Sequence, residues 1–312
     1  MPSRWPSRVR SAAVVAIALA VVGAARAQPL VPDGPPSSVR MLAFAYRAHD
    51  GLRRLAYLLL PRSYDRGHHP PLPLVVSPHG RGVSALANAM RWGDLPARGG
   101  FAVVNPEGQG RRFALYSWGA PGQIEDLARM PRLVERAFPW LQVDLRRIYA
   151  VGASMGGQET LLLLARHPRL LAGAAAFDAP TDMALRYHDF LRLRRGRALQ
   201  RLARLEICGP PRADRERYES RSPSDLARAI AFSGVPLELW WSGRDQVVVD
   251  EARQCGRLYR EVKRLNPHAP VREFVGAWAH TAELGTRLPI ALARFGLLRE
   301  RNRRKPVTGV VS

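Results

Sequence analysis

From residue 38 onward, short apolar runs alternate with helically spaced segments, and the alternation opens on a hairpin. Ser38 to Ala48 and Leu52 to Leu60 are predicted strands joined around Asp50-Gly51, a pair suited to a tight turn. Further strands are predicted at 72–77, 101–105, 147–151, 172–177, 236–241 and 271–275. Helical spacing fills the intervals at 84–97, 124–138 (with a kink at Pro131), 155–166, 250–265 and 284–298. Strands separated by helices pair in parallel, because each crossover returns the chain to the same end of the sheet. The expectation is an α/β fold: a mostly parallel central sheet, an N-terminal antiparallel hairpin and helices on both faces. Residues 179–234 break the rhythm, being long, arginine-rich and helical in character. They are expected to form a cap inserted into a domain spanning 38–298.

The segments outside that domain read differently. Arg4, Arg8 and Arg10 precede an almost wholly apolar stretch, Ser11 to Ala24, and Ala25-Arg26-Ala27 follows with small residues at −3 and −1. That is the pattern of a cleaved signal peptide over 1–27, shorter than a bilayer span. An uncleaved anchor is the alternative, and either places the domain outside the cytoplasm. Residues 28–37 are a Pro-rich linker, and 299–312 a basic tail. Export bears on the two cysteines, Cys208 and Cys255, which are candidates for a structural disulfide in an oxidising compartment, with two buried thiols as the alternative. Neither belongs to a metal-ligand spacing, no HExxH motif is present, and no cofactor is expected.

Chemistry concentrates in Gly152-Ala153-Ser154-Met155-Gly156, which falls where a predicted strand meets a predicted helix. A serine on so sharp a turn needs small residues two before and two after it, and Gly157 adds room. The Met155 N–H at the helix start would face a developing oxyanion. A second donor is expected from His79-Gly80-Arg81-Gly82 after the 72–77 strand: Arg81 N–H, with Gly82 as the alternative. His79 is read as structural. The Arg81 side chain is read as solvated, an anionic substrate group being its other possible partner.

The serine needs a base, and the base an orienting carboxylate. Asp245 follows the 236–241 strand through Ser242-Gly243-Arg244, and His280 follows the last strand, so both would reach the same sheet edge as Ser154. Asp178, ending an earlier strand, and Asp250 are rival acids. His268 lies in a turn before the last strand, and His49, His68, His69, His167 and His188 precede the acid. Tyr116, Trp118 and Trp278 are candidates for an apolar substrate wall, with packing as the other reading.

Together GASMGGQE, HGRG, SGRD and WAH resemble the α/β-hydrolase superfamily across roughly Arg40 to Leu298. Within it the chain is similar to prolyl-oligopeptidase-like catalytic domains and to secreted esterases, including feruloyl and acetyl-xylan esterases and polyester depolymerases. The resemblance implies a serine hydrolase acting on a small-molecule or polymeric ester, with a peptide as the rival substrate. A propeller domain has no room in 312 residues, which favours an open-site esterase. A non-catalytic binding protein on this fold is a third reading.

Net charge is +22, and lysine occurs only at Lys263 and Lys305, so arginine carries almost all of it. A field of that sign attracts polyanions. For an exported protein with arginines spread along the chain, an anionic envelope polymer or membrane surface fits better than nucleic acid.

Overall fold

The computed structural model describes residues 34–299 apart from 66, 68, 69, 109, 111 and 114. The expected signal peptide, most of the linker and tail, His68 and His69 lie outside these residues. Eight strands, β1 (Val39–Arg47), β2 (Arg53–Pro61), β3 (Leu72–Val76), β4 (Ala102–Pro106), β5 (Val143–Ala153), β6 (Gly173–Phe177), β7 (Leu237–Ser242) and β8 (Val271–Gly276), form one sheet. Their order is β1-β2-β4-β3-β5-β6-β7-β8. The hairpin β1–β2 and the β2–β4 pair are antiparallel, and every other pair is parallel. Gly51 takes φ 81 in the hairpin turn, where Ala48 accepts from its N–H at 2.9 Å.

Strand alternation divides the core in two. Leu74, Ile148, Ala150, Ala174 and Leu239 face one layer, packed by α3 (Pro121–Ala137) and α4 (Met155–Arg166). Val75, Tyr149, Val151, Ala175 and Trp240 face the other, packed by α1 (Ala85–Met90), α2 (Leu95–Gly99) and α10 (Leu284–Arg294). Between β6 and β7 run α5 (Met183–Asp189), α6 (Gly196–Ile207), α7 (Arg215–Glu219) and α8 (Ala227–Ala231), with α9 (Cys255–Leu265) after β7. Residues of α5, α6 and α7 build a third apolar cluster around Tyr116 and Trp118. Among the described residues no helix is long and apolar enough to cross a membrane.

Three expected helices depart from their expected spans, each for a local reason. The 84–97 helix divides into α1 and α2 where Gly93 turns left-handed (φ 52) and Pro96 enters the next first turn without an N–H. In the 250–265 helix a turn of 3-10 helix, Glu251–Arg253, gives way to α9 at Gln254, whose side chain accepts from Thr181 N and Asp182 N at 2.7 and 2.8 Å. The last helix stops at Arg294: Gly296 (φ 69) closes it, and Leu297 N–H reaches back to Leu292 O at 2.9 Å.

Register decides where the chemistry gathers. Ala153 pairs with Phe177, Phe177 with Trp240, and Ser242 with Gly276, so the exits of β5 to β8 share one edge. The loop 115–119 is clamped over that edge by buried polar groups. Ser117 Oγ donates to Glu159 of α4, and Arg221 Nη1 donates to Ser117 O and Trp118 O at 2.8 and 3.2 Å. Burial raises the Glu159 carboxyl to about 7, against the lowering effects of the Ser117 hydrogen bond and the Arg221 charge. Because the unfolded carboxyl ionises near 4.5, folding becomes less favourable as pH climbs from there through 7. Glu159→Gln removes that penalty. Urea melts should show the variant matching wild type near pH ~4 and exceeding it by on the order of 3 kcal/mol above neutrality. An equal difference at both pH values would refute the buried-carboxyl account.

Candidate active site

Ser154 sits at φ 58, ψ −126 between β5 and α4, a conformation that costs a residue with a Cβ roughly 1–3 kcal/mol. It is held there from both sides: Ser154 N–H donates to Phe177 O at 2.8 Å, and Ser154 O accepts from Gln158 N at 3.0 Å. The neighbouring glycines are a steric requirement. A Cβ on Gly152 would stand 2.3 Å from Gly156 O, one on Gly156 2.2 Å from Pro78 O, and one on Gly157 2.9 Å from Ala179 Cβ. The His79–Gly82 loop passes close by, with the Cβ position of Gly80 at 3.9 Å from Ser154 Cβ.

Across the same edge His280 Nδ1 meets Asp245 Oδ2 at 2.6 Å. A carboxylate only accepts, so Nδ1 carries the proton and the Nε2 of the neutral ring keeps its lone pair. Asp245 is fixed in turn, its Oδ1 accepting from Val247 N and Val248 N at 2.6 and 2.9 Å. Its side chain is wholly buried, and that of His280 is 15% exposed. Ser242 ties the two loops together: its Oγ donates to Trp278 O at 2.5 Å and accepts from Arg244 N and Trp278 N. Among the described residues no hydrogen bond joins Ser154 Oγ to His280. Such contacts often tighten only when substrate is bound.

Asp178 has a different task from Asp245. At φ 44 it accepts from Trp278 Nε1 at 3.1 Å and from Thr281 N at 2.8 Å, bracing the loop that carries His280. Burial raises its carboxyl above the ordinary value. Asp178, Asp245 and His280 each offer an atom within 4.8 Å of the others, a spacing that a metal ion would accept. Their atoms are already committed to the ring and backbone partners above. Asp250 stands apart with Arg253, and His49 and His167 bond to Asp126 and Glu125.

Of the expected oxyanion donors, Gly82 N–H is taken by Leu115 O at 3.0 Å. Arg81 N and Met155 N have no acceptor among the described residues. His79 is buried, with Nδ1 on Gly80 O at 2.9 Å and Nε2 accepting from Gly108 N at 3.0 Å, and burial lowers its pKa.

Several expectations need correction. Cys208 and Cys255 are not joined. Cys208 ends α6 in a left-handed turn, whereas Cys255 points into the core beneath the sheet and its Sγ donates to Ala179 O at 3.2 Å. Tyr116 and Trp118 are buried in the third apolar cluster, so they pack and do not present open walls. Trp278 is half-buried and spends its indole N–H on Asp178. The Arg81 guanidinium lies over the Trp118 ring, 5.6 Å from its centroid, and is half-buried rather than solvated. Sequence reasoning missed Ser242, Glu159 and Arg186; the first two stand inside the quoted SGRD and GGQE segments, while Arg186 is masked by the abundance of arginine. A cavity of about 430 Å³ lies at the opposite ends of β7 and β8, lined by Leu237, Val271 and Phe295 among others, and belongs to none of this.

No protein-family model matches the chain, and no curated protein matches it. Solved structures do. Acylaminoacyl peptidase from Pyrococcus horikoshii superposes with a TM-score of 0.63 at 16% identity, over 83% of this chain and 42% of that one. A puromycin-hydrolyzing peptidase of Mycobacterium tuberculosis gives 0.63 at 20%, over 85% and 40%. S-formylglutathione hydrolase from Staphylococcus aureus gives 0.58 at 16%, over 83% and 100%. The chain has the α/β-hydrolase fold. At these identities the likeness is one of fold, and the chain spans about two fifths of the two peptidases.

The α/β-hydrolase turn makes a sharp stability prediction. Gly156→Ala forces a methyl against the Pro78 carbonyl and should cost roughly 2–4 kcal/mol in a denaturant melt. Gly285→Ala, in the first turn of α10 with nothing within 4 Å of the new Cβ, should be neutral or stabilising by up to about 1 kcal/mol. Equal effects at the two sites would contradict the crossing described.

Proposed function

We propose that the protein is an exported serine hydrolase that cleaves a carboxylic ester through an acyl-enzyme on Ser154. The observation that carries this is the pairing of a strained serine at the β5–α4 turn with a buried His280–Asp245 couple at the same sheet edge. In this mechanism His280 Nε2 takes the Ser154 proton as Oγ attacks the carbonyl carbon, and Asp245 stabilises the imidazolium that forms. The N–H groups of Met155 and Arg81 receive the developing oxyanion. His280 then returns the proton to the leaving oxygen, and water repeats the cycle to release the acid.

A peptide substrate is the second reading, favoured by the two peptidases among the structural neighbours. Those peptidases extend well beyond the matched region, while S-formylglutathione hydrolase is matched along its whole length, which supports a hydrolase of small or exposed acyl groups. The net charge of +22 suits a substrate displayed on an anionic polymer or membrane surface outside the cytoplasm. Passage through a cation exchanger without retention at low salt would remove that part of the reading.

A fluorophosphonate probe should label wild type and fail on Ser154→Ala and His280→Ala. On an aryl ester, Asp245→Asn should lower kcat by about 10³–10⁴, with Asp178→Asn losing much less. A larger loss for Asp178→Asn would exchange the two acids, and unlabelled but folded wild type would overturn the hydrolase reading.

A further inference from the structure

Two guanidinium groups lie close enough to repel each other, one of them on the residue after Gly80 beside Ser154, and neither makes an ion pair among the described residues. Arg186, on α5, is 3% exposed, and its Nη1 has no hydrogen-bond partner among the described residues. Its guanidinium lies 4.7 Å from the centroid of Phe190, while that of Arg81 lies 5.6 Å from Trp118. The Phe190 and Trp118 rings meet edge to face at 5.4 Å, so the two arginines are mounted on one aromatic unit. Arg81 directly follows Gly80, whose Cβ position stands 3.9 Å from Ser154 Cβ.

The charges of Asp245, Glu251 and Asp189 act on Arg186 only from a distance, and none of these acids pairs with it directly. Asp189 makes its ion pair with Arg192 at 3.8 Å, and Asp245 is committed to His280. Glu251 is buried, and burial together with the Asp245 and Asp178 charges pushes its carboxyl well above the ordinary range; it makes no ion pair with Arg186. Arg186 itself is pushed down to about 9, first by burial and then by the charge of Arg81, and remains a cation at pH 7. Holding an unpaired cation out of water is unfavourable, and a second cation nearby adds to that cost. An incoming anion relieves both at once, and a planar carboxylate matches the guanidinium fork.

We propose that Arg186 and Arg81 form an anion subsite beside Ser154 that selects esters bearing a carboxylate. This rests on the hydrolase reading above. The helices between β6 and β7 then contribute specificity through Arg186, while the His79–Gly82 loop serves both the oxyanion, through the Arg81 N–H, and the substrate anion, through its side chain.

The test compares matched esters on the full chain at about 0.5 M NaCl, where the field of the surface arginines is screened. Mono-p-nitrophenyl adipate against p-nitrophenyl hexanoate places the anion on the acyl side. 4-Acetoxybenzoate against its methyl ester places it on the leaving side. Wild type should favour the anionic member of at least one pair by about tenfold or more in kcat/KM. Arg186→Met and Arg186→Gln should lower that ratio by about tenfold, with Arg186→Lys intermediate. Adipate should also raise the Tm of wild type and not that of a folded Arg186→Met, a readout that needs no turnover. Neutral esters preferred in both pairs, or an unchanged ratio in the folded variants, overturns the subsite. Should Arg186→Met fail to fold, the ester preference of wild type decides. If no ester is turned over and the probe does not label, the hydrolase reading falls, and the adipate shift alone then decides whether an anion is bound.

Discussion

Three stretches of backbone cross within van der Waals contact at the end of β5, and much of the structure is arranged around that crossing. Pro78–His79, Gly152 and the Gly156–Gly157 start of α4 approach so closely that a methyl group on any of these glycines would meet another atom at 2.9 Å or less. The gain is positional. Ser154 stands at a positive φ where the strand ends and α4 begins. The strain is small beside what opposes it. The Ser154–Phe177 and Gln158–Ser154 hydrogen bonds lock the turn, and the helix behind it, from Gln158 to Ala165, is almost entirely buried.

A second constraint follows from the register. Because β5 to β8 end together, the loops after β6, β7 and β8 must carry polar groups at one edge without room to hydrate them all. The protein resolves this by assigning each carboxylate its own donors. Asp245 takes two backbone N–H groups and the imidazole, and Asp178 takes an indole and the Thr281 N–H. Glu251, whose two oxygens have no hydrogen-bond partner among the described residues, has its carboxyl pushed well above the ordinary range by burial. Of the two carboxyl groups close to the one histidine, the one with the richer set of donors is the one bonded to the ring.

How legible was this beforehand? All eight strands fall on the predicted apolar runs, and the elbow at Gly152–Gly156 lies on the expected junction, because period and turn chemistry are local properties of the chain. Helix ends were misjudged where the deciding group is remote or idiosyncratic, as with the Gln254 side chain capturing the Thr181–Asp182 backbone. Composition could not foretell the cysteines. Oxidising surroundings permit a disulfide, but Cys255 is turned by α9 into the core, and pairing depends on that three-dimensional fact. Tyr116 and Trp118 illustrate the same limit from the other side, since an aromatic loop beside an active edge reads as a substrate wall until the β6–β7 helices are seen to cover it.

Arginine was the least legible residue because one letter serves two physical roles here. Many arginines on the helices pair with an acid three or four positions away, as in Arg98–Asp94, Arg215–Glu219, Arg217–Asp214 and Arg264–Glu261. Such exposed pairs contribute little stability, and salt screens them. They consume much of the acid on the surface and leave the excess of positive charge as a field with a range of about 10 Å at moderate ionic strength. Arg186 differs in kind: it is buried against Phe190, short of partners, and beyond the reach of that screening. Long-range attraction and short-range selection are thus carried by the same side chain in two dielectric settings, and ionic strength separates them because only the first depends on it.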